Sequence, residues 1–443
     1  MEQRTESKND RRHFLKTSAT ALAAAQLMGT SAWAGANEKV RVAVVGVHGQ
    51  GRSHVRQYLA IKEAELVALC DVDESVLDKA SEELIVGKGF PKPKFFWNYQ
   101  ELLEDPSIDA VSFATPNHWH SLQAIWGCQA GKHVYVEKPL SHNIWEGRQL
   151  VKAARKYNRI VQHGTNSRSS KGVQEAVRLL REGVIGEVYM AKGLCYKWRD
   201  TINHTPDEPV PQGVHYDQWM GPAPERPFSR NRFHYNWHWQ WPYGNGDIGN
   251  QGIHQMDVTR WGLGVKLPSK VQAMGRHFMF EDDQTTPNVL LASMEYPEEK
   301  KMLVFEVRHW VTNHEGEIGE GSSNTTGNLF FGSEGYMVIE GGSYRTYLGK
   351  ERKPGPSGNG GGDNWQNFID AILSGDPQTQ NVDVEDGHLS CALFHLANIA
   401  YRVGRTIEVD IENETVKNDT EAQRLVNDGD RGYREPYVVP KEV

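Results

Sequence analysis

The chain has 443 residues, with 49 Lys+Arg against 57 Asp+Glu and a formal net charge of −8. This length predicts two or three domains, and 38% hydrophobic with 24% charged residues excludes a disordered or fibrous chain. The acidic balance gives no electrostatic footprint for nucleic acid or an anionic membrane surface, and no apolar run approaches the ~18 residues of a membrane span.

The first segment reads as an address. Arg11-Arg12-His13-Phe14-Leu15-Lys16 is a twin-arginine signature, an Ala-rich apolar stretch runs from Thr17 to Ser31, and Ala32-Trp33-Ala34 is a small-x-small cleavage site. Residues 1–34 are therefore expected to be a signal peptide that engages the twin-arginine export machinery and delivers a folded protein to the periplasm. They carry five Lys/Arg and three Asp/Glu, so their removal takes the net charge from −8 to −10. Cys70, Cys128, Cys195 and Cys391 are far apart and have no zinc or redox spacing; buried free thiols are expected, with a disulfide as the alternative.

A nucleotide domain follows. Val40–Val45 reads as a buried parallel strand, Gly46-Val47-His48-Gly49-Gln50-Gly51 as a turn, residues 52–61 as a helix, and Leu66–Cys70 as a strand ending at Asp71. This order is the dinucleotide fingerprint. Gly46 allows the tight turn, Gly51 allows close helix packing, and the helix N-terminus faces the pyrophosphate with free N–H groups. His48 stands where the second fingerprint glycine is expected, and neighbouring Gly49 can shift the turn to compensate. Asp71, 20 positions beyond Gly51, can accept hydrogen bonds from ribose hydroxyls and would repel a 2′-phosphate, which favours NAD over NADP.

Further βα units continue with strands at 109–114, 133–136 and 160–163 and helices reaching about 130 and 157. Thr115-Pro116-Asn117-His118-Trp119-His120 and Glu137-Lys138-Pro139 lie at carboxyl ends of strands, where ligands bind in open α/β sheets. After about residue 165 the pattern changes to a helix at 173–182 and longer strands at 187–196, 271–278, 289–296, 302–310, 327–332 and 336–340, several alternating as an antiparallel sheet does. Residues 350–362, rich in Pro and Gly, read as a mobile loop, and helices at 363–374 and 386–403 close the fold.

The Gly turn, the Thr115–His120 segment, Glu137-Lys138-Pro139 and Gly249-Asn250-Gln251-Gly252-Ile253-His254-Gln255-Met256-Asp257 together resemble the glucose–fructose oxidoreductase / inositol dehydrogenase (Gfo/Idh/MocA) family of NAD(P)-dependent enzymes. The resemblance implies an α/β chain: an N-terminal Rossmann domain over 38–165, and a C-terminal α/β domain over 166–404 with a large, mostly antiparallel open sheet. Its helices near 363–404 would pack partly back on the first domain, and 405–443 forms a C-terminal extension. Cofactor contacts are expected from Gly46, His48, Gly49, Gln50, Gly51 and Asp71, and from Thr115, Asn117, His120, Glu137 and Lys138 near the nicotinamide and its ribose. Pro139 would be cis.

The resemblance assigns Lys138 to the catalytic centre. Beside a cationic nicotinamide ring its pKa should fall, letting it polarise or deprotonate a carbinol. The second catalytic position resembles Asp-x-x-x-His, one helical turn apart. His254 matches, but Asn250 replaces the acid; an amide orients a hydroxyl without taking its proton. Asp247 and Asp257 are nearby carboxylates at other helical phases. Substrate contacts are expected from His163, from Tyr196, Lys197 and Arg199 at a strand end, and from Trp237, Trp239, Trp241 and Tyr243. The first three of those aromatics alternate as on one side of an extended strand, and their rings could stack on pyranose C–H faces. His118 reads equally as a polar residue at a helix start. The pairs His118/His120 and His234/His238 lack a carboxylate or Cys cluster, so no metal is expected.

The expected activity is NAD-dependent oxidation or reduction of a secondary hydroxyl, such as C3 of a glucoside, in a sugar, glycoside or polyol. Because free NAD is scarce outside the cytoplasm, the nucleotide should be tightly bound and regenerated by a second substrate. The alternative is a redox-neutral glycosidase or epimerase working by transient oxidation and elimination; relatives of that kind tend to lack the lysine that Lys138 supplies here. A sugar-binding protein on a retired scaffold is a third reading. A homo-oligomer, dimer or tetramer, is expected through the exposed sheet face.

Overall fold

The computed structural model describes residues 39–310, 312–427 and 432–443. The twin-arginine segment, 1–34, lies outside the described residues.

The first sheet is all parallel. Its elements are β1 (Val40–Val45), α1 (Gly51–Ala60), β2 (Ala64–Cys70), α2 (Glu74–Leu84), β3 (Lys94–Phe96), α3 (Tyr99–Glu104), β4 (Ala110–Phe113), α4 (Asn117–Gln129), β5 (His133–Val136), α5 (Ile144–Lys156) and β6 (Val161–His163). The order β3-β2-β1-β4-β5-β6 reverses direction at β1/β4, which opens a crevice at the carboxyl ends of the strands. Val42, Val44 and Leu69 are fully buried, as β-branched runs covered on both faces should be. Asp73 and Asn143 cap α2 and α5 by accepting from first-turn amides.

The second unit contains α6 (Lys171–Arg181), β7 (Val188–Lys197), α7 (Tyr216–Met220), α8 (Gly246–Asn250), α9 (Gly252–Leu263) and β8 (Lys270–Arg276). It continues with β9 (Val289–Tyr296), β10 (Lys301–His309), β11 (Thr325–Gly332), β12 (Gly335–Glu340), β13 (Ser343–Leu348) and β14 (Lys353–Asn359). It closes with α10 (Asn364–Ser374), α11 (Val384–Val403), β15 (Ile407–Asp410), β16 (Thr415–Val416) and α12 (Thr420–Val426). Ten strands form one sheet in the order β14-β13-β12-β11-β7-β10-β9-β8-β15-β16, antiparallel except for β7 beside β10. One face packs on α9 and α11; close approach is possible because a Cβ at Gly193 or Gly262 would run into Phe305 or Phe330. The other face leaves Met274, Leu291 and Met302 exposed.

Residues 350–362 are not a mobile loop. β14 pairs antiparallel with β13, and its Pro354 and Pro356 are tolerated because it is the last strand of the sheet. The C-terminal segment is tied to both units. Trp365, Phe368 and Ile369 of α10 join the core of β1 and α1. The C-terminal extension adds β15 and β16 to the second sheet and sends Tyr437 edge-on to Trp119 of α4. All four cysteines are free and buried.

Candidate active site

A cleft of ≈ 480 Å³ runs from the carboxyl ends of the parallel strands to the start of α9. Its cofactor wall begins at the glycine turn. Gly46 has φ +82, and a Cβ there would lie 2.7 Å from the Ala114 carbonyl oxygen; a Cβ at Gly51 would lie 1.8 Å from the carbonyl oxygen of Gly46. Both positions therefore require glycine. Gly49 meets nothing within 4 Å and opens onto the cleft. No side chain caps the first turn of α1, and no acidic residue stands in it. That amide-rich end, with its positive dipole, suits a pyrophosphate.

Asp71 closes the far end. Its Oδ2 accepts from Val47 N at 2.7 Å and its Oδ1 from Asp73 N at 3.1 Å, so the carboxylate is aimed by the turn itself. Burial pushes its pKa up to about 6, against the pull of those amides. The next two residues, Val72 and Asp73, supply no cation for a 2′-phosphate. The residues on this wall fit NAD. A segment of the second unit reaches over the same end: Glu74 N donates to Gly213 O at 3.0 Å and His215 N to Val72 O at 2.8 Å. His215 stacks on Trp97 at 4.0 Å, and His234 stacks on His48 at 4.0 Å while facing Asp73 at 3.1 Å.

At the other end lies Glu137-Lys138-Pro139, with a cis Lys138–Pro139 bond. Glu137 is buried, facing His54 at 3.0 Å and accepting from Gln50 at 3.2 Å. Burial raises its pKa, but His54 and Lys138 outweigh this and hold it near 2. Lys138 Nζ donates to Asn250 O at 3.0 Å and Asn250 Oδ1 at 3.2 Å. Burial lowers the Lys138 pKa, and Glu137 and Asp247 only partly oppose it. Asn250 thus occupies two of the three hydrogen-bonding positions on Nζ and leaves the third for a substrate.

Asn250 is held in turn by Asp247, which accepts its amide at 3.1 Å. Asp247 is fully buried between Arg199, at 3.1 Å from both carboxylate oxygens, and His309 at 3.0 Å. Burial disfavours its charge, yet these two partners hold its pKa far below the usual carboxylate range. Asp257 does not reach the cleft; it pairs with Arg168 at 2.9 Å and accepts from Ser390 at 2.6 Å, anchoring α9. His254 lines the cleft one turn beyond Asn250, across the α8–α9 junction at Gln251. Burial and the Lys138 charge lower its pKa to about 4, so its ring is neutral near pH 7.

His120 and Asn117 also line the cleft. His120 places its nitrogens 2.6 Å from Pro139 O and 2.7 Å from Thr115 O, joining the two strand-end loops. Asn117 donates to Asn245 at 3.1 Å, and Thr115 to Gln123 at 2.6 Å. His118 is turned away, with Nε2 at 2.9 Å from Trp219 O.

The substrate residues divide. Arg199, Lys197 and Trp237 line the cleft. Tyr196 does not: alternation along β7 sends it to the opposite sheet face, where its hydroxyl donates to Glu306 at 2.7 Å. His163 is buried against Gly387 of α11. The aromatic segment is not an extended strand. Asn236–Trp239 is a 3₁₀ turn, so the rings diverge: Trp239 lies under Arg199, and Trp241 lies beside Arg402. Tyr243 is core among Trp219 and His118. Trp97, Tyr235 and Gln251, not expected as site residues, also line the cleft, as do His234 and His238, which were weighed above only as a metal pair. Polar and aromatic density in 234–251 was the only sequence signal for the latter four; Trp97, just after β3, had none. Among the described residues no group of three or more His, Cys, Asp or Glu could hold a metal ion.

Comparison with known proteins agrees with this geometry. Residues 40–165 match the family "Oxidoreductase family, NAD-binding Rossmann fold", and 170–278 with 361–437 match its "C-terminal alpha/beta domain". "Glycosyl hydrolase family 109 protein 1" from Shewanella sp. (strain MR-4) is 36% identical over 155 residues, which is 34% of this chain and 34% of the relative. The chain thus matches about a third of that relative's length. Among solved structures, an aldose-aldose oxidoreductase from Caulobacter crescentus, complexed with glycerol, superposes with TM-score 0.63 at 17% identity, covering 84% of this chain and 100% of the other. A levoglucosan dehydrogenase, complexed with NADH and levoglucosan, gives TM-score 0.63 at 18% identity, with 84% and 100% covered. At these identities the likeness establishes the fold. The chain belongs to the Gfo/Idh/MocA oxidoreductase family, built from its NAD-binding Rossmann domain and its C-terminal α/β domain.

Proposed function

We propose that this protein uses tightly bound NAD to oxidise a secondary hydroxyl of a sugar, glycoside or polyol to the ketone, or in reverse uses the reduced nucleotide to reduce that ketone. The observation that carries the reading is the Lys138 Nζ held by Asn250 at 3.0 and 3.2 Å in the cleft that also contains the glycine turn and Asp71. Bound NAD supplies the acceptor for a hydride from the carbinol carbon. Lys138, with its lowered pKa, takes the hydroxyl proton through its free position. The neutral His254 ring hydrogen-bonds an adjoining hydroxyl, and Asn250 orients the reacting one. Asp247 touches no substrate; it is a positioning residue that fixes the Asn250 amide.

Retention of NAD is supported by the segment carrying Gly213, His215 and His234, which is tied by hydrogen bonds and ring stacking to Val72, Glu74, Trp97 and His48 at the adenosine end. Retention also suits export of a folded, loaded protein to the periplasm, the location we assign from Arg11-Arg12 and the apolar stretch after it. The exposed Met274, Leu291 and Met302 on the open sheet face support a homo-oligomer.

A second reading is favoured by the glycosyl hydrolase relative. The same residues could oxidise a glycoside, let the aglycone leave by elimination across the acidified neighbouring C–H, add water, and return the two electrons to the sugar. One experiment separates the readings. The purified protein is denatured and its supernatant assayed for NAD, while native protein is incubated with matched sugars and aryl glycosides. Released NAD and keto-sugar are expected. Free aglycone with no net oxidation would move the assignment to the glycosidase, and absence of nucleotide would remove retention.

A further inference from the structure

The charges at the substrate end of the cleft do not balance. Among the described residues, the cleft-lining Glu137 and the buried Asp247 just behind it are the carboxylates at this end, and both are engaged. Glu137 faces His54, and Asp247 lies between Arg199 and His309. Against them stand Lys138, Arg199 and Lys197. Lys138 is held for chemistry and Arg199 is spent on Asp247. Lys197 closes β7 with its Nζ 3.3 Å from Gln251 Oε1, a neutral amide.

The same strand shows how lysine is treated elsewhere. Lys192 lies on the other face of β7, and there Glu306, at 3.4 Å, and Glu315 neutralise it. Of the two, the strand therefore leaves its cleft-facing lysine without a carboxylate, in a half-buried place beside two other cations. A half-buried ammonium in that setting is compensated when an anion joins it, and charge-assisted bonds of this kind are the stronger ones. Gln251 also lines the cleft, and its Nε2 makes only a long 3.4 Å bond to Gln255. Lys197 Nζ and Gln251 Nε2 thus offer two adjacent donors, the pattern a planar carboxylate accepts through its two oxygens. Asn166, His238 and Tyr235 line the same end; His238 stays neutral because burial and Lys138 depress its pKa to about 3.

We infer that the substrate is an acidic sugar of the uronic-acid type, whose carboxylate is bound by Lys197 and Gln251 while a ring hydroxyl faces Lys138. This rests on the sugar-oxidoreductase reading, but its test does not depend on turnover. Loaded wild-type protein and the Lys197→Met and Lys197→Arg variants are titrated calorimetrically with glucuronate, galacturonate, glucose, galactose, glucose 6-phosphate and glucose 6-sulfate. Oxidation of each is followed in parallel. The expected result is that one uronate binds at least about tenfold more tightly than its neutral counterpart, a preference that weakens with added salt. Lys197→Met should abolish that preference in Kd, and in KM rather than kcat where oxidation occurs, and Lys197→Arg should restore part of it. Equal binding of uronate and neutral sugar, or a preference unchanged in Lys197→Met, would overturn the inference and leave the oxidoreductase reading intact. Tighter binding of the phosphate or sulfate esters than of either uronate would overturn the carboxylate assignment. A uronate that binds through Lys197 but is never oxidised would support the carboxylate site while overturning the uronate as the substrate and counting against the oxidoreductase reading.

Discussion

The wall of the cleft that faces NAD and the wall that faces substrate differ in how their residues are gathered. The adenosine half comes from one local run: Gly46, Gly51 and Asp71 lie on a single strand–turn–helix–strand unit, joined by the Val47–Asp71 bond. The substrate half is drawn from Lys138, Lys197, Arg199, Asp247, His254 and His309, which meet only when β7, α8, α9 and β10 pack on the first domain. The first wall is set by backbone geometry, so one missing Cβ at Gly46 or Gly51 decides it. The second is set by charge pairing among side chains. It can therefore change specificity without disturbing the fold, and it fails differently when damaged.

The largest effect should come from the buried centre of the substrate wall. Asp247→Ala leaves the half-buried Arg199 and the buried His309 without their shared carboxylate and is expected to cost about 2–3 kcal/mol in stability, below the range for a fully buried pair because Arg199 reaches the cleft, with turnover lost as Asn250 loses its anchor. Denaturant unfolding of the variant beside wild type reads the first, and sugar oxidation the second. An unchanged midpoint would mean that the Arg199–Asp247–His309 group is not what holds this wall together.

The cofactor wall should instead respond to pH. Asp71 binds ribose hydroxyls as a carboxylate, and its pKa is raised to about 6. NAD retention should therefore weaken as pH falls below about 6, up to about tenfold per pH unit. For the nucleotide-free fold the sign is opposite. A carboxyl whose folded pKa lies above its ordinary value of 3.8 stabilises the fold at low pH, and that contribution is lost as pH rises through about 6. Nucleotide release by filtration between pH 7 and pH 5, with melting curves of stripped protein over the same range, checks both directions.

The smallest effect concerns the strap over the adenosine end. Trp97→Ala removes the ring on which His215 stacks, a contact worth about 1 kcal/mol. Loss of NAD should quicken several-fold with little change in the rate of sugar oxidation by the loaded protein. Exchange against labelled NAD measures it, and an unaltered exchange rate would show that the strap does not limit release.

The same contrast explains what was legible in the sequence. Gly46, Gly51 and Asp71 could be placed because a local turn imposes their spacing, and Asn250 with His254 because helical periodicity carries across Gln251. The alternation of Trp237, Trp239 and Trp241 misled because a 3₁₀ turn, invisible in an aromatic-rich stretch, sends the three rings in different directions. Tyr196 was placed in the cleft because strand composition does not say which face is buried; only the register of β7 against β10 and β11 does. Residues 350–362 looked like a loop because prolines disfavour a central strand, whereas β14 is an edge. The positioning role of Asp247 was hidden because its partners lie 48 and 62 residues away.

The claim on which the rest depends is that the Lys138 amine moves the hydroxyl proton beside bound NAD. A single-turnover experiment tests it most directly. Wild-type protein carrying its own NAD is mixed with an oxidisable sugar, and the absorbance of reduced nicotinamide is followed, alongside Lys138→Ala with the same NAD content. The expected result is rapid reduction in wild type and a rate lower by about 10²–10⁴-fold in the variant. Reduction of bound NAD at the wild-type rate in Lys138→Ala would contradict it.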